Sequence, residues 1–201
     1  EGLPTVPDLL PALRLMRELA LKIQAIRRKR GSIDFDLPEA EILLDLRGTI
    51  TDICRAERNI AHRIIEEFMI AANETVAGYF HWLKVPAIYR VHEKPDADKL
   101  AAFAEFSSGF GHRFPAPHTI HPKVMGDFLA SLHDLPEEKI LTQVLLRSMK
   151  QALYSMENSG HFGLASSTYT HFTSPIRRYL YFVVDRRLRE LLRRGCSSPG
   201  R

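Results

Sequence analysis

Residues 169–179 read YTHFTSPIRRY, and this stretch decides where an irregular Ser/Thr-rich run gives way to a helix. Ser174 carries the hydroxyl of an N-cap and Pro175 suits the first helical position. An apolar repeat follows through Tyr179, Leu180, Val183, Val184, Leu188, Leu191 and Leu192. The spacing therefore predicts a helix that begins at Ser174. Arg177 and Arg178 then stand near its N-terminus, beside the positive end of the dipole, where a cation is unfavourable by roughly 0.3–1 kcal/mol. A phosphate bound where guanidinium, hydroxyl and amide donors converge would account for them. Two solvated arginines, or a salt bridge to a distant carboxylate, account for them equally well.

Upstream of this stretch, HFGLASSTYTHFT (161–173) is rich in Gly, Ser, Thr and aromatics and reads as a loop with short strand pieces. Helices are predicted at about 96–108, 121–132 and 136–154, with Pro115 and Pro117 between the first two. AIYRVH (87–92) reads as a short structural strand. A long helix over about 58–84 carries Ile65, Phe68, Met69, Ala72, Val76 and Phe80 on one face. The first helix, about 7–29, places Leu9, Leu13, Met16, Leu19, Ile23 and Ile26 on another, and Gly31 ends it. Between these helices, IDFDL alternates at strand period and EAEILLDLRGTITDIC forms two strands around a turn at Arg47 and Gly48, a small β-meander. Helices and strands segregate, so the expected class is α+β: mostly helical, with a small antiparallel sheet. Residues 1–195 are expected to form one domain, with 196–201 a frayed tail.

At 201 residues the chain is long enough for a sizeable core, and 45% hydrophobic with 26% charged residues is ordinary for a soluble globular protein. The balance of 28 Lys+Arg against 24 Asp+Glu gives +4 and a pI near 9.2. A net charge that small does not by itself indicate nucleic acid; local clustering matters more. Clusters exist in RRKR (27–30) and along the last helix. The first also suits a helix C-terminus, and the second a solvated face. Cys54 and Cys196 form no metal-ligand pattern, and no apolar run approaches about 18 residues, so a soluble cytoplasmic protein with no membrane segment is expected.

In the long helix, His62, Glu66 and Asn73 share a polar stripe at i, i+4 and i+11. A carboxylate repels phosphate but accepts a hydrogen bond from a sugar hydroxyl, the group that distinguishes RNA from DNA. A solvated face on which Glu66 and Glu67 merely favour helix explains the same stripe. Asp34, Asp36, Glu39 and Glu41 offer the oxygen donors that Mg²⁺ prefers, but Leu37-Pro38 breaks the register between the pairs and argues against one cluster. Phe35, on the opposite strand face, is either core or a base-stacking platform. Tyr169, His171 and Phe172 are aromatics of the kind that stack on unpaired bases. Gly-rich phosphate loops, nucleophile elbows and Cys/His metal patterns are absent from the sequence.

Five runs carry a family resemblance: GSIDFDLPEAEILLD, ERNIAHRIIEEFMIAANETVA, YRVHEKPD, LLRSMKQALYS and HFGLASSTYTHFTSPIRRY. In this order, over almost all of residues 10–190, they closely resemble the C-terminal half of the catalytic domain of the ribonuclease II and ribonuclease R (RNB) family. The resemblance implies 3′→5′ hydrolysis of single-stranded RNA to nucleoside 5′-monophosphates with Mg²⁺. It matches Arg177 to the catalytic arginine that holds a phosphate at the scissile 3′ end, and Glu66 to a glutamate that contacts a ribose. Phe35 corresponds to a stacking aromatic. His62, Asn73, Tyr169, His171, Thr173, Ser174 and Arg178 are the further residues expected along the RNA.

Two departures qualify the resemblance. The family's Mg²⁺-binding aspartates belong to the N-terminal half of the domain and, like the flanking OB-folds, have no counterpart in these 201 residues. No metal ligand is therefore assigned here, and the chain alone is expected to be inactive unless the missing half is supplied. The alternative is an inactive RNA-binding or scaffolding fragment. After RRY, moreover, the family usually has an aspartate and, one turn on, a histidine; here Tyr181 and Asp185 occupy those places.

Overall fold

The first helix, α1 (Val6–Arg30), ends as the sequence predicts. Gly31 follows at φ +104°, and a Cβ there would come within 2.6 Å of the Lys123 backbone nitrogen. Only glycine fits a left-handed position pressed that closely against another backbone. The contact ties the end of α1 to the start of α4 (Pro122–Ser131). In the computed structural model, residues 6–33, 40–55, 59–115 and 120–195 are described. Phe35, Asp34, Asp36 and Glu39 lie outside these residues, as does the predicted tail 196–201.

The stripe expected to be the core face of α1 is largely open: Leu9, Leu13, Leu19 and Ile26 are exposed, while Ala20 and Arg27 are buried. The reason is that α1 packs on α2 (Ile60–Trp82) through a charged seam. Arg27 pairs with Glu67 at 3.4 Å, both nearly out of water, and Arg30 pairs with Glu74. Two of the four RRKR cations are thus neutralised by α2. The hairpin β1 (Ala40–Leu44) and β2 (Ile50–Arg55) is antiparallel around Gly48 at φ +81°, with Asp45 accepting from the amides of Arg47 and Thr49. These are two strands of the expected meander, and Ile42, Leu44, Ile50 and Ile53 on them stay exposed.

The remaining elements are β3 (Tyr89–Val91), α3 (Ala97–Ser108), α5 (Glu138–Ser148), β4 (Leu153–Ser155) and α6 (Tyr179–Arg193). The helix predicted over 136–154 stops at Ser148, and Leu153–Ser155 pairs antiparallel with β3 instead. Pairing with a strand some sixty residues away outweighs the local helical pattern. Two apolar cores result. One joins α3, α4 and α5 around Phe103, Phe114 and Phe128, whose rings meet edge to face at 4.9–5.7 Å. The other joins α2, β3 and α6 through Val76, Phe80, Tyr89, Val91, Val184 and Leu191. The loop after β4 bridges them, with Phe162 in the first core and Phe172 against the second.

Candidate nucleic-acid interface

Asn73 of α2 holds that bridging loop from below. Asn73 is fully buried on α2. Its amide donates to the Tyr169 hydroxyl at 2.9 Å, and its carbonyl accepts from the Phe172 amide at 2.8 Å and the Thr173 hydroxyl at 3.2 Å. The expectation that Asn73 shares a ligand with His62 and Glu66 is therefore corrected: with no exposed atom it touches the loop and not a ligand. Tyr169 is likewise buried, its phenol pushed up by burial, so its ring is packing rather than an open stacking surface. His62 caps α2, its Nδ1 accepting from the Asn59 amide while Asn59 accepts from the amides of Ala61 and His62. Glu66, one turn on, is half-buried.

Beyond Thr173 the chain departs from the predicted helix start. Ser174 sits in the left-handed region at φ 60°, ψ 62°, makes no capping hydrogen bond, and leads into a 3₁₀ turn over Pro175–Arg177. Arg178, at φ −135°, breaks that turn before α6 begins at Tyr179. The N-cap reading of Ser174 fails because Asn73 fixes Phe172 and Thr173, and the chain turns left-handed on leaving them. Arg177 is consequently presented on an exposed turn ahead of the helix, and Arg178 occupies the N-cap position of α6. On α6, Tyr181 stacks on Phe172 at 5.6 Å between centroids, and Asp185 pairs with Arg189 at 2.9 Å. The two positions that depart from the family pattern thus serve separate contacts.

The groups that act on Arg178 and His171 among the described residues are cationic or neutral. Among the described residues, Arg90, Arg177 and Arg178 form no ion pair, whereas Arg27, Arg30, Arg187, Arg189 and Arg194 each do. Burial, then Arg178, Arg90 and Arg177, pushes His171 down to about 4. Burial and then Arg177 lower Arg178, and among the described residues no Asp or Glu is a cause for either group. His171 Nδ1 lies 2.7 Å from the Tyr154 hydroxyl, and the Arg90 guanidinium sits over the Tyr154 ring, 4.6 Å from its centroid. Three uncompensated guanidiniums with a neutral imidazole and a phenol make a site for an anion. Arg90 and Tyr154 are absent from the sequence-based assignment. The burial pattern of β3, with Tyr89 and Val91 inside and Arg90 between them, follows the strand's period of two and was available as a signal. Tyr154 was hidden by the mistaken helix.

This set of donors does not fit Mg²⁺, which takes carboxylate, carbonyl and water oxygens. Among the described residues no group of three His, Cys, Asp or Glu is arranged to hold a metal ion. No described helix is long and apolar enough to cross a membrane.

The fold and the arginine cluster describe a mostly helical α+β domain with an arginine-bearing turn ahead of α6. The RNB domain profile matches residues 4–194, and the chain belongs to that family. Ribonuclease R of Aquifex aeolicus (strain VF5) is 46% identical over 187 residues, covering 93% of this chain and 26% of that protein. Ribonuclease R of Escherichia coli (strain K12) is 38% identical over 188 residues, 94% of this chain and 23% of that protein. The chain therefore spans about a quarter of the length of these relatives. Among solved structures, Mycoplasma genitalium RNase R in complex with ribose methylated single-stranded RNA superposes with a TM-score of 0.87 at 33% identity. That match covers 94% of this chain and 30% of the other. Yeast Ssd1, described as a pseudonuclease, shares the fold at a TM-score of 0.70 and 24% identity, covering 94% of this chain and 24% of the other.

Proposed function

We propose that this chain carries the phosphate and ribose contacts of a 3′→5′ exoribonuclease that hydrolyses single-stranded RNA to nucleoside 5′-monophosphates. The observation that carries the reading is the cluster of Arg177, Arg178 and Arg90 around His171, none of which forms an ion pair with a carboxylate among the described residues. Arg177, on its exposed turn, holds the phosphate at the scissile end and stabilises the charge that develops there; Arg178 and His171 flank it. Thr173 and Ser174 set the turn. Glu66 accepts from a ribose hydroxyl, and Phe35 supplies a stacking ring. A Mg²⁺ ion would be held by residues of a complementary half of the domain rather than by this cluster, and would supply activation of the attacking water. Accordingly the chain alone does not cleave, and its setting is the cytoplasm.

A catalytically inactive RNA-binding or scaffolding role is the second reading. It is favoured by one observation: the fold recurs in Ssd1, described as a pseudonuclease. The test incubates a 5′-labelled single-stranded oligoribonucleotide with Mg²⁺ and the 201-residue chain, with and without the complementary half. No ladder from the chain alone and a 3′→5′ ladder on complementation are expected; no ladder in either case favours the inactive role, and a ladder from the lone chain overturns its predicted inactivity. In a protein carrying the whole catalytic domain, Arg177→Ala should lower kcat on the order of 10²–10³-fold, the scale of losing one donor to developing charge, while RNA affinity falls only a few-fold. Equal losses in both would mean tethering and not transition-state stabilisation.

A further inference from the structure

Arg90 belongs to the same electropositive group as Arg177 and Arg178, yet reaches it from a different part of the fold. Its backbone is gripped on both sides: it stands opposite Tyr154 in the β3–β4 pair, and its amide donates to the Tyr169 carbonyl at 2.8 Å. Its guanidinium lies against the Tyr154 ring, and the Tyr154 hydroxyl is bonded to His171. The platform is oriented by that hydrogen bond, so the guanidinium is held by a rigid aromatic face and not by a carboxylate. A cation–π contact is worth about 0.5–1 kcal/mol at an exposed site and leaves all five N–H donors for a ligand. By contrast, Arg27 and Arg30, which hold helices together, both pair with acids. An arginine seated on an aromatic ring and with no ion pair among the described residues, beside two others that likewise form none there, is arranged for a second anion.

We propose that Arg90, seated on Tyr154 and linked through it to His171, holds a second backbone phosphate of the RNA strand whose scissile phosphate Arg177 holds. This rests on the RNA-binding reading above. Two phosphate contacts beside His171, supplied by different parts of the fold, fix the direction of the strand as well as its end, because one contact alone leaves the strand free to pivot. Arg90 is thus a binding and positioning residue, acting through the ground-state complex.

Counterion release gives a test. For a single strand, log Kd changes with log salt by about 0.7 per phosphate contacted. Binding of a fluorescein-labelled single-stranded oligoribonucleotide to the 201-residue chain, without Mg²⁺, is followed by anisotropy between about 0.05 and 0.3 M KCl. Arg90→Gln should lower the slope by about 0.7 and weaken binding about fivefold at about 0.1 M salt, one such contact extrapolated from 1 M. Arg90→Lys should keep the slope, since the charge remains. Arg177→Gln is measured in parallel. A slope unchanged in Arg90→Gln but lowered in Arg177→Gln overturns the second contact alone; a slope unchanged in both overturns the RNA-binding reading beneath it. In the unmutated chain, where folding is not in question, phenylglyoxal modification of Arg90 read by mass spectrometry should fall at least about threefold when the oligoribonucleotide binds. Unchanged modification of Arg90 under saturating RNA also refutes the proposal.

Discussion

Replacing Asn73 by Ala removes a buried side chain that fastens the loop ahead of the arginine-bearing turn to α2. Three hydrogen bonds go with it, to the Tyr169 hydroxyl, the Phe172 amide and the Thr173 hydroxyl, at 2.9, 2.8 and 3.2 Å. A typical bond of this kind contributes about 0.5–1.5 kcal/mol net, and leaving a buried partner unsatisfied costs more than the mean, so the three together give about 3 kcal/mol. In a domain of this size that corresponds to a fall in Tm of about 6–12 °C. Urea unfolding followed by circular dichroism should show a lower midpoint with an unchanged m-value. Tyr169→Phe removes only the bond to the amide nitrogen and should cost about 1 kcal/mol. Well below its Tm, Asn73→Ala should also bind single-stranded RNA more weakly, because Arg177 and Arg178 stand only four and five positions after Thr173 in the chain and lose their anchor. A loss of stability under about 1 kcal/mol for Asn73→Ala would refute the idea that this amide organises the loop.

Three further outcomes are expected. Gly31→Ala should cost about 3 kcal/mol, since its Cβ would stand 2.6 Å from the Lys123 backbone at a left-handed φ; a change under about 1 kcal/mol, measured in urea, would mean that α1 and α4 part without strain. Burial, followed by neighbouring cations, holds His161 at about 3 and His171 at about 4, against an ordinary 6.5, so both are neutral in the fold. Between about pH 6.5 and those values the unfolded chain binds more protons, so stability is complete above about 6.5 and declines as pH falls. From pH 7 to 5 the loss should be about 1–2 kcal/mol after allowance for solvent screening, smaller in His171→Asn; a urea midpoint equal or higher at pH 5 contradicts the assignment. Glu66→Ala should narrow the preference for an oligoribonucleotide over its deoxy counterpart in competition binding, and unchanged discrimination would remove the ribose contact.

The periodicity of the chain by itself determined the helices α1 to α4, the Gly31 stop and the hairpin turn at Gly48, because these depend on residues a few positions apart. The five family runs likewise placed the chain in the RNB family before any contact was known. Local pattern misled wherever a distant partner competed with it. Residues 153–155 read as helix but pair with Tyr89–Val91, and Ser174 reads as an N-cap but is turned left-handed by a loop fastened to Asn73. The site divides in the same way. Arg177 and Arg178 were visible as cations at the wrong end of a helix, a conflict between neighbours. Only the tertiary structure brought Arg90 and Tyr154 to them and showed that, among the described residues, none of the three arginines forms an ion pair. Which charges lack a partner depends on the whole fold, because an ion pair joins residues without regard to their separation along the chain.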